Sequence, residues 1–264
     1  MKEVRIHSLY SGSTGNSFLI RSPKGCILID AGKNAKRLCA ALECAETSPD
    51  EIRAIFITHE HSDHIGALNV FLKKHPVPVH ILERSAYALR NSQSVAPCLR
   101  LHSPLYTEQV CDMTITSFPT PHDSEGSVGY LIEIPTERKC LRIGYATDIG
   151  HVSETVERSL LGCDAVILES NHDIDMLHTG PYPYPLKQRI ASRYGHLSNF
   201  DSAALAARLC ATGTKSLMLA HLSQENNTPD LAFSVCQNAL RDYEVALCVA
   251  CPERVTELSM EGIL

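Results

Sequence analysis

Residues 58–64 read T-H-E-H-S-D-H and lie where a short apolar strand, expected over 54–58, gives way to a helix expected from about 64 to 74. Three imidazoles and the Asp63 carboxylate fall within six positions, 59–64. Ordinary core hydrogen bonds do not satisfy so many polar side chains at once. A divalent cation, by contrast, takes nitrogen and oxygen donors of this kind from a rigid turn. A solvated polar turn is the bland alternative, and the density of imidazoles argues against it. His59, His61, Asp63 and His64 are therefore candidate metal ligands.

Working outward, short apolar strands alternate with single amphipathic helices on both sides of this turn. On the N-terminal side, V-R-I-H-S-L-Y (4–10), S-F-L-I-R (17–21) and C-I-L-I-D (26–30) are joined by turn-forming runs at 11–16 and 23–25, which predicts hairpins. A helix is expected over 34–45 and a strand over 77–82. On the C-terminal side, strands are expected in M-T-I-T-S-F, S-V-G-Y-L-I-E-I, L-R-I-G-Y, D-A-V-I-L-E-S, K-S-L-M-L-A-H and V-A-L-C-V-A, with helices near 185–194, 201–211 and 229–243. Hairpins mixed with single helices fit two packed sheets covered by helices outside, a four-layer αββα sandwich of the α/β (α+β) class.

The 264 residues are 44% hydrophobic and 20% charged, with no low-complexity tract, which suits a chain that buries a sizeable core. No linker rich in Pro, Gly and Ser divides it, so one domain over 1–264 is expected. Eleven scattered cysteines form no disulfide framework and read as free thiols, Cys248 and Cys251 included. No secretory signal and no membrane-length apolar run is present, so a cytoplasmic protein off the membrane is expected. A net charge of −6 excludes a surface broadly coated for nucleic acid, so any polyanion must be held locally.

Further polar runs stand at expected strand ends and turns: S-G-S-T-G-N-S (11–17), I-D-A-G (29–32), T-P-H-D (120–123), A-T-D-I-G (146–150), E-S-N-H-D (169–173), G-H-L-S-N (195–199) and L-A-H-L-S-Q-E-N-N (219–227). The order H-x-H-x-D-H resembles the signature of the metallo-β-lactamase superfamily. With these runs, the chain resembles its YycJ (WalJ)-like branch over nearly its whole length. The resemblance implies the four-layer sandwich and two divalent ions, Zn or Mn. His59, His61 and His122 would bind one ion, and Asp63, His64 and His221 the other, with Asp148 bridging. Asp30 and Thr58 would orient the ligand loop, although a turn-forming Asp before glycine accounts for Asp30 equally well. The activity implied is a 5′-to-3′ exonuclease on double-stranded DNA, so the expected partner is nucleic acid, DNA rather than RNA.

Two divalent ions about 3.5–4 Å apart can share a water and lower its pKa toward 7, which supplies the nucleophile without a protein nucleophile. Asp63 and Asp148 then belong to the catalytic set with His196, a candidate general acid that reads equally as a helix-start histidine. Ser13, Thr14 and Asn16, with Ser198 and Asn199, are candidate phosphate contacts, since such turns expose backbone N–H groups. A plain turn explains the first three as well. Lys187, Arg189 and Arg193 lie among prolines and tyrosines, a mixture that suits a nucleic-acid strand or a solvated basic helix face. His172 is a candidate without a role. A small-molecule phosphodiesterase, for instance for cyclic nucleotides, is the enzymatic alternative, and a metal-loaded binding protein without turnover is the alternative from another class.

Overall fold

The computed structural model describes residues 4–260 and Ile263. In chain order its elements are β1 (Arg5–Tyr10), β2 (Ser17–Ser22), β3 (Gly25–Ile29), α1 (Ala35–Cys44), β4 (Ile52–Phe56), α2 (Ser62–Ile65), α3 (Leu68–Lys74), β5 (Val79–Leu82), β6 (Leu99–His102), β7 (Thr107–Val110), β8 (Met113–Pro119), β9 (Val128–Pro135), β10 (Cys140–Ala146), α4 (Glu154–Leu160), β11 (Ala165–Glu169), α5 (Ile174–Thr179), α6 (Tyr184–Ile190), α7 (Asn199–Ala211), β12 (Ser216–Ala220), α8 (Pro229–Ala239), β13 (Ala246–Val249) and β14 (Thr256–Leu258). They form two seven-stranded sheets, ordered β14-β1-β2-β3-β4-β5-β6 and β13-β12-β11-β10-β9-β8-β7.

Strand periodicity assigns the layers. In β2, Phe18 and Ile20 point into the core between the sheets, while Leu19 points outward beneath α1 and α3. The inter-sheet core joins Ile6, Ile29 and Phe56 of one sheet to Ile132, Tyr145 and Ile167 of the other. The outer face of the second sheet packs Leu168 and Leu219 against Leu205 and Leu209 of α7. β11 and β12 pair in parallel and are buried at every residue, because helices cover one face and the other sheet covers the opposite one. The result is the expected αββα sandwich.

Some expectations change in detail. The helix foreseen over 64–74 is two helices, α2 and α3, broken at Gly66. Gly66 and Ala67 keep right-handed helical backbone in the turn between the two, and a Cβ at Gly66 would sit 2.4 Å from the Lys33 carbonyl oxygen, so this close approach requires glycine. The helix foreseen over 185–194 ends at Ile190, and the one foreseen to 243 ends at Ala239. Strands β6, β7 and β14 and helices α4 and α5 have no counterpart in the sequence reading. β6, β7 and β14 lie at sheet edges, where half-exposed strands carry little hydrophobic alternation.

The topology brings the polar runs to one rim. Asp30 follows β3, Thr58 and His59 follow β4, His122 follows β8, Asp148 follows β10, Glu169 ends β11 and His221 follows β12. Asp30, Asp148 and His221 all adopt left-handed backbone, with φ of 61°, 56° and 58°. Such conformations are costly for residues other than glycine and persist where surrounding structure holds a side chain in one direction.

Candidate metal centre

The side chains at this rim converge. Ligand-capable atoms of His59, His61 and His122 lie within 4.8 Å of one another, as do those of Asp63, His64 and His221, and those of His59, His64 and Asp148. Asp148 stands between the groups: Oδ1 is 3.8 Å from Nε2 of His122 and 3.4 Å from Nε2 of His221, and Oδ2 is 3.5 Å from Nε2 of His64. Asp63 Oδ2 lies 3.2 Å from Nε2 of His64 and 3.7 Å from Nε2 of His221.

Whether these residues suit a cation can be tested on their unused atoms. Nε2 of His59, Oδ2 of Asp148 and Nε2 of His221 are buried without a hydrogen-bond partner. A buried polar atom left unpaired is expensive, and here three such atoms face one cluster of nitrogen and carboxylate donors. The donor set fits a divalent ion.

The opposite ring nitrogens are held from behind. Nδ1 of His64 is 2.8 Å from Oδ2 of Asp30, a carboxylate that is itself buried and accepts from the Thr58 N–H (2.8 Å) and hydroxyl. Thr58 Oγ1 also lies 3.0 Å from Nδ1 of His59. Nδ1 of His122 donates to the Gly195 carbonyl at 3.2 Å, and Nδ1 of His221 lies 3.2 Å from Oε1 of Glu169. Occupying Nδ1 in this way fixes the tautomer and leaves Nε2 free to ligate.

Charge inside the cluster is balanced closely. Burial pushes the His59 ring well below the usual histidine range, aided by His64, His122 and His61. Burial also disfavours protonated His64 and His221, but the surrounding carboxylates outweigh it: Asp30, Asp148 and Asp63 hold His64 well above its usual value, and Asp148 with Glu169 and Asp63 carries His221 to about 10. Burial would raise the Asp63 carboxyl, yet His64 and His221 hold it below the carboxylate range. A cation taken up by these nitrogens displaces their protons.

Glu169 stands out as a site residue that the sequence reading left without a role. Fully buried, it accepts from Nδ1 of His196 at 2.7 Å and from the N–H groups of Ile149 (2.8 Å) and Leu197 (3.2 Å), besides facing His221. The available signal was a carboxylate closing the otherwise apolar strand A-V-I-L-E. His196 itself is partly exposed, its ring centroid 5.1 Å from that of His221 and 5.2 Å from that of His122.

A cavity of ≈ 180 Å³ opens over His61, His122 and His196, with Ser13, Arg189 and Asn171 among its lining residues. Not every candidate contact reaches it. Thr14 is exposed but is not part of the lining. Asn16 is wholly buried, its amide spent on the Gly12 backbone and on Asp63 Oδ2 (3.1 Å). Ser198 caps α7. Asn199 is locked in a buried network with Ser170 and Asn227. His172 is buried, with a backbone bridge to Ser198. Lys187 bonds the His178 carbonyl beside a different pocket, and Arg193 pairs with His151. Of the expected phosphate and cation contacts, Ser13 and Arg189 face the cavity. The buried asparagines and Ser198 organise loops, which is why small polar residues cluster in those runs.

All eleven cysteines are free thiols. Among the described residues, no helix is long and apolar enough to cross a membrane.

Comparison with known proteins places this geometry in a family. The model of the metallo-beta-lactamase superfamily matches residues 10–138. The chain is 34% identical over 245 residues to the protein named exodeoxyribonuclease WalJ of Streptococcus pneumoniae, covering 91% of this chain and 90% of that one. It is also 34% identical over 226 residues to the protein named exodeoxyribonuclease YycJ of Bacillus anthracis, covering 85% and 84%. Among solved structures, the metallo-beta-lactamase fold protein YhfI of Bacillus subtilis superposes with a TM-score of 0.72 at 16% identity, over 96% of this chain and 98% of that one, a likeness of fold alone. The chain belongs to the metallo-beta-lactamase superfamily, in the branch that contains WalJ and YycJ.

Proposed function

We propose that the protein is a metal-dependent exodeoxyribonuclease that digests double-stranded DNA from the 5′ end. The observation that carries this reading is the convergence of seven donor side chains beside the protonatable ring of His196. Its support from relatives is the 34% identity over most of the chain to proteins named exodeoxyribonucleases.

On this reading His59, His61 and His122 would hold one divalent ion, and Asp63, His64 and His221 a second, with Asp148 shared; zinc and manganese both suit mixed imidazole and carboxylate donors. Bound divalent ions supply Lewis acidity, polarising a phosphoryl oxygen and acidifying a water. The chain's own groups do the rest. Glu169 keeps the proton of His196 on Nδ1, so the far nitrogen, once protonated, can donate to the departing sugar oxygen. Asp63 and Asp148 keep the cluster only modestly positive, enough to favour a phosphodiester over a neutral substrate. Ser13 and Arg189 line the approach.

A small phosphodiester substrate is the second reading. It is favoured by the net charge of −6 and by the fact that, of Lys187, Arg189 and Arg193, only Arg189 lines the cavity. One experiment separates the two: metal-loaded protein incubated with end-labelled single- and double-stranded DNA, RNA, cyclic nucleotides and bis-nitrophenyl phosphate. Metal-dependent loss of the 5′ label from duplex DNA supports the nuclease. Turnover confined to the small phosphodiesters replaces it, and hydrolysis that ignores a chelator removes the metal-dependent mechanism.

A further inference from the structure

The residue after the ligand His122 is an aspartate with two partners. Asp123 Oδ1 lies 3.4 Å from Nε2 of His122, the nitrogen that faces the cluster, while Oδ2 accepts from Nε of Arg189. Helix periodicity explains the second contact. Leu186, Arg189 and Ile190 are three and four positions apart on α6 and share the face that lines the cavity, whereas Lys187 lies on another face. The Asp123 N–H also donates to the Tyr194 carbonyl at 3.0 Å, so the segment after α6 and the loop carrying His122 are tied together. Arg189 is anchored by its helix but 59% exposed at its side chain, and Asp123 is 29% exposed. The guanidinium can therefore change partner without unfolding anything.

One carboxylate thus spans a ligand nitrogen and a guanidinium with two oxygens. A phosphate bound at the cluster would present two anionic oxygens to the same surroundings, and Arg–phosphate pairs are strong, planar and often bidentate. We propose that Asp123 is a resident anion standing where substrate phosphate binds, and that a nucleotide phosphate entering the cavity takes Arg189 from it. The pair then selects for ligands whose charge and geometry compete with a carboxylate, and Asp123 sets affinity while Arg189 positions the phosphate. This rests on the nuclease reading for the identity of the anion.

The test is the affinity of the metal-loaded protein for deoxyadenosine 5′-monophosphate, measured by calorimetry in wild type, Asp123→Asn and Arg189→Ala, with bound metal counted in each. Arg189→Ala should weaken binding about tenfold. Asp123→Asn should tighten it roughly fivefold, the scale of a partly exposed ion pair no longer competing. A crystal structure with the nucleotide should show the guanidinium on phosphate and away from Asp123. The proposal is overturned by binding indifferent to Arg189→Ala, by loss of metal in Asp123→Asn, which would make Asp123 a ligand, or by an intact Asp123–Arg189 pair in the complex. If the binding pattern holds but wild type cleaves no phosphodiester, the nuclease reading falls and the exchange stands. DNA digestion with nucleotide binding indifferent to both substitutions gives the reverse.

Discussion

The carboxylate of Glu169 meets Nδ1 of His196 at 2.7 Å, and the same oxygen lies 3.2 Å from Nδ1 of His221. One buried group therefore orients both a candidate metal ligand and a candidate proton donor. Burial opposes its charge, but the two imidazoles outweigh burial and hold the carboxyl well below its usual range. In Glu169→Gln an amide replaces the charge and turns its N–H donors toward neighbours that themselves donate. Removing a partner that orients a ligand in this way costs about 10–100-fold in metal affinity or activity. Glu169→Gln should lower metal affinity and turnover together, whereas His196→Ala should slow turnover with metal content preserved. Metal titration beside single-turnover rates separates them, and unchanged turnover in His196→Ala would remove that ring from the chemistry.

His122→Ala and Asp63→Ala should each abolish hydrolysis while the fold survives. His122 lies in the loop after β8 and Asp63 on the short helix α2, both at the sheet rim, and the sandwich rests on a buried apolar core that includes Phe18, Ile132 and Ile167. Calorimetry should show one cooperative unfolding transition in each variant. A melted or non-cooperative variant would mean that the ligand loops hold the sheets together.

Cation binding should raise thermal stability, because ligand atoms gathered only in the folded chain couple binding to folding. At a hundredfold excess over Kd a single site contributes about 2.7 kcal/mol, which for a chain of this size corresponds to roughly 5–10 °C in Tm. Scanning calorimetry with and without a chelator measures this, and a Tm indifferent to zinc and to manganese would contradict the proposed centre.

The turn at 58–64 displayed its chemistry in sequence because the candidate ligands sit close together, so local spacing carried the signal. The layers were equally legible, since β2 and β11 carry the continuous apolar stretches F-L-I and A-V-I-L in strands buried at every residue. What local spacing could not carry was long-range pairing. Nothing near Asn199 reveals that its amide meets Asn227, and nothing near Glu169 reveals that two histidines, 27 and 52 positions on, turn their Nδ1 atoms to it. Asn16 and Asn199 read in sequence as candidate phosphate contacts, yet both side chains are buried, because polar turn residues look alike whether they face solvent or satisfy a buried loop.

Away from the metal centre, His80 predicts an acid-sensitive fold. Its ring is buried against Phe56, and Nδ1 lies 3.0 Å from Nε2 of His102, which in turn faces Glu108 at 3.9 Å. Burial first, then His102 and Arg100, lowers its pKa to about 4. The unfolded chain takes up this proton near pH 6.5. Stability from a neutral His80 is therefore complete above pH 6.5 and is lost as pH falls toward 4, by at most about 3 kcal/mol. Denaturant midpoints from pH 7 to 4.5 should fall less steeply in His80→Leu than in wild type. Parallel profiles would show that carboxylates alone carry the acid sensitivity.

Gly32 tests how tightly the ligand loop is packed. A Cβ at this position would lie 1.9 Å from the Asp63 carbonyl oxygen and 2.6 Å from the Asn16 nitrogen, both backbone atoms without freedom to swing aside. Those atoms are already bonded to each other at 2.8 Å, and Gly32 N–H donates to the Asn16 carbonyl at 2.9 Å, so the turn before β2, the segment after β3 and the short helix α2 meet with no room for a methyl group. Gly32→Ala must push the short helix α2, which carries Asp63, outward. Overpacking of this kind costs about 1–3 kcal/mol, and the displaced carboxylate should weaken metal binding although alanine brings no chemistry of its own. Denaturant midpoints and metal titration on the same preparation measure both effects. Wild-type metal affinity in Gly32→Ala would show that the loop can shift without carrying Asp63 away from His64 and His221, and would remove close packing as the device that sets the ligand geometry.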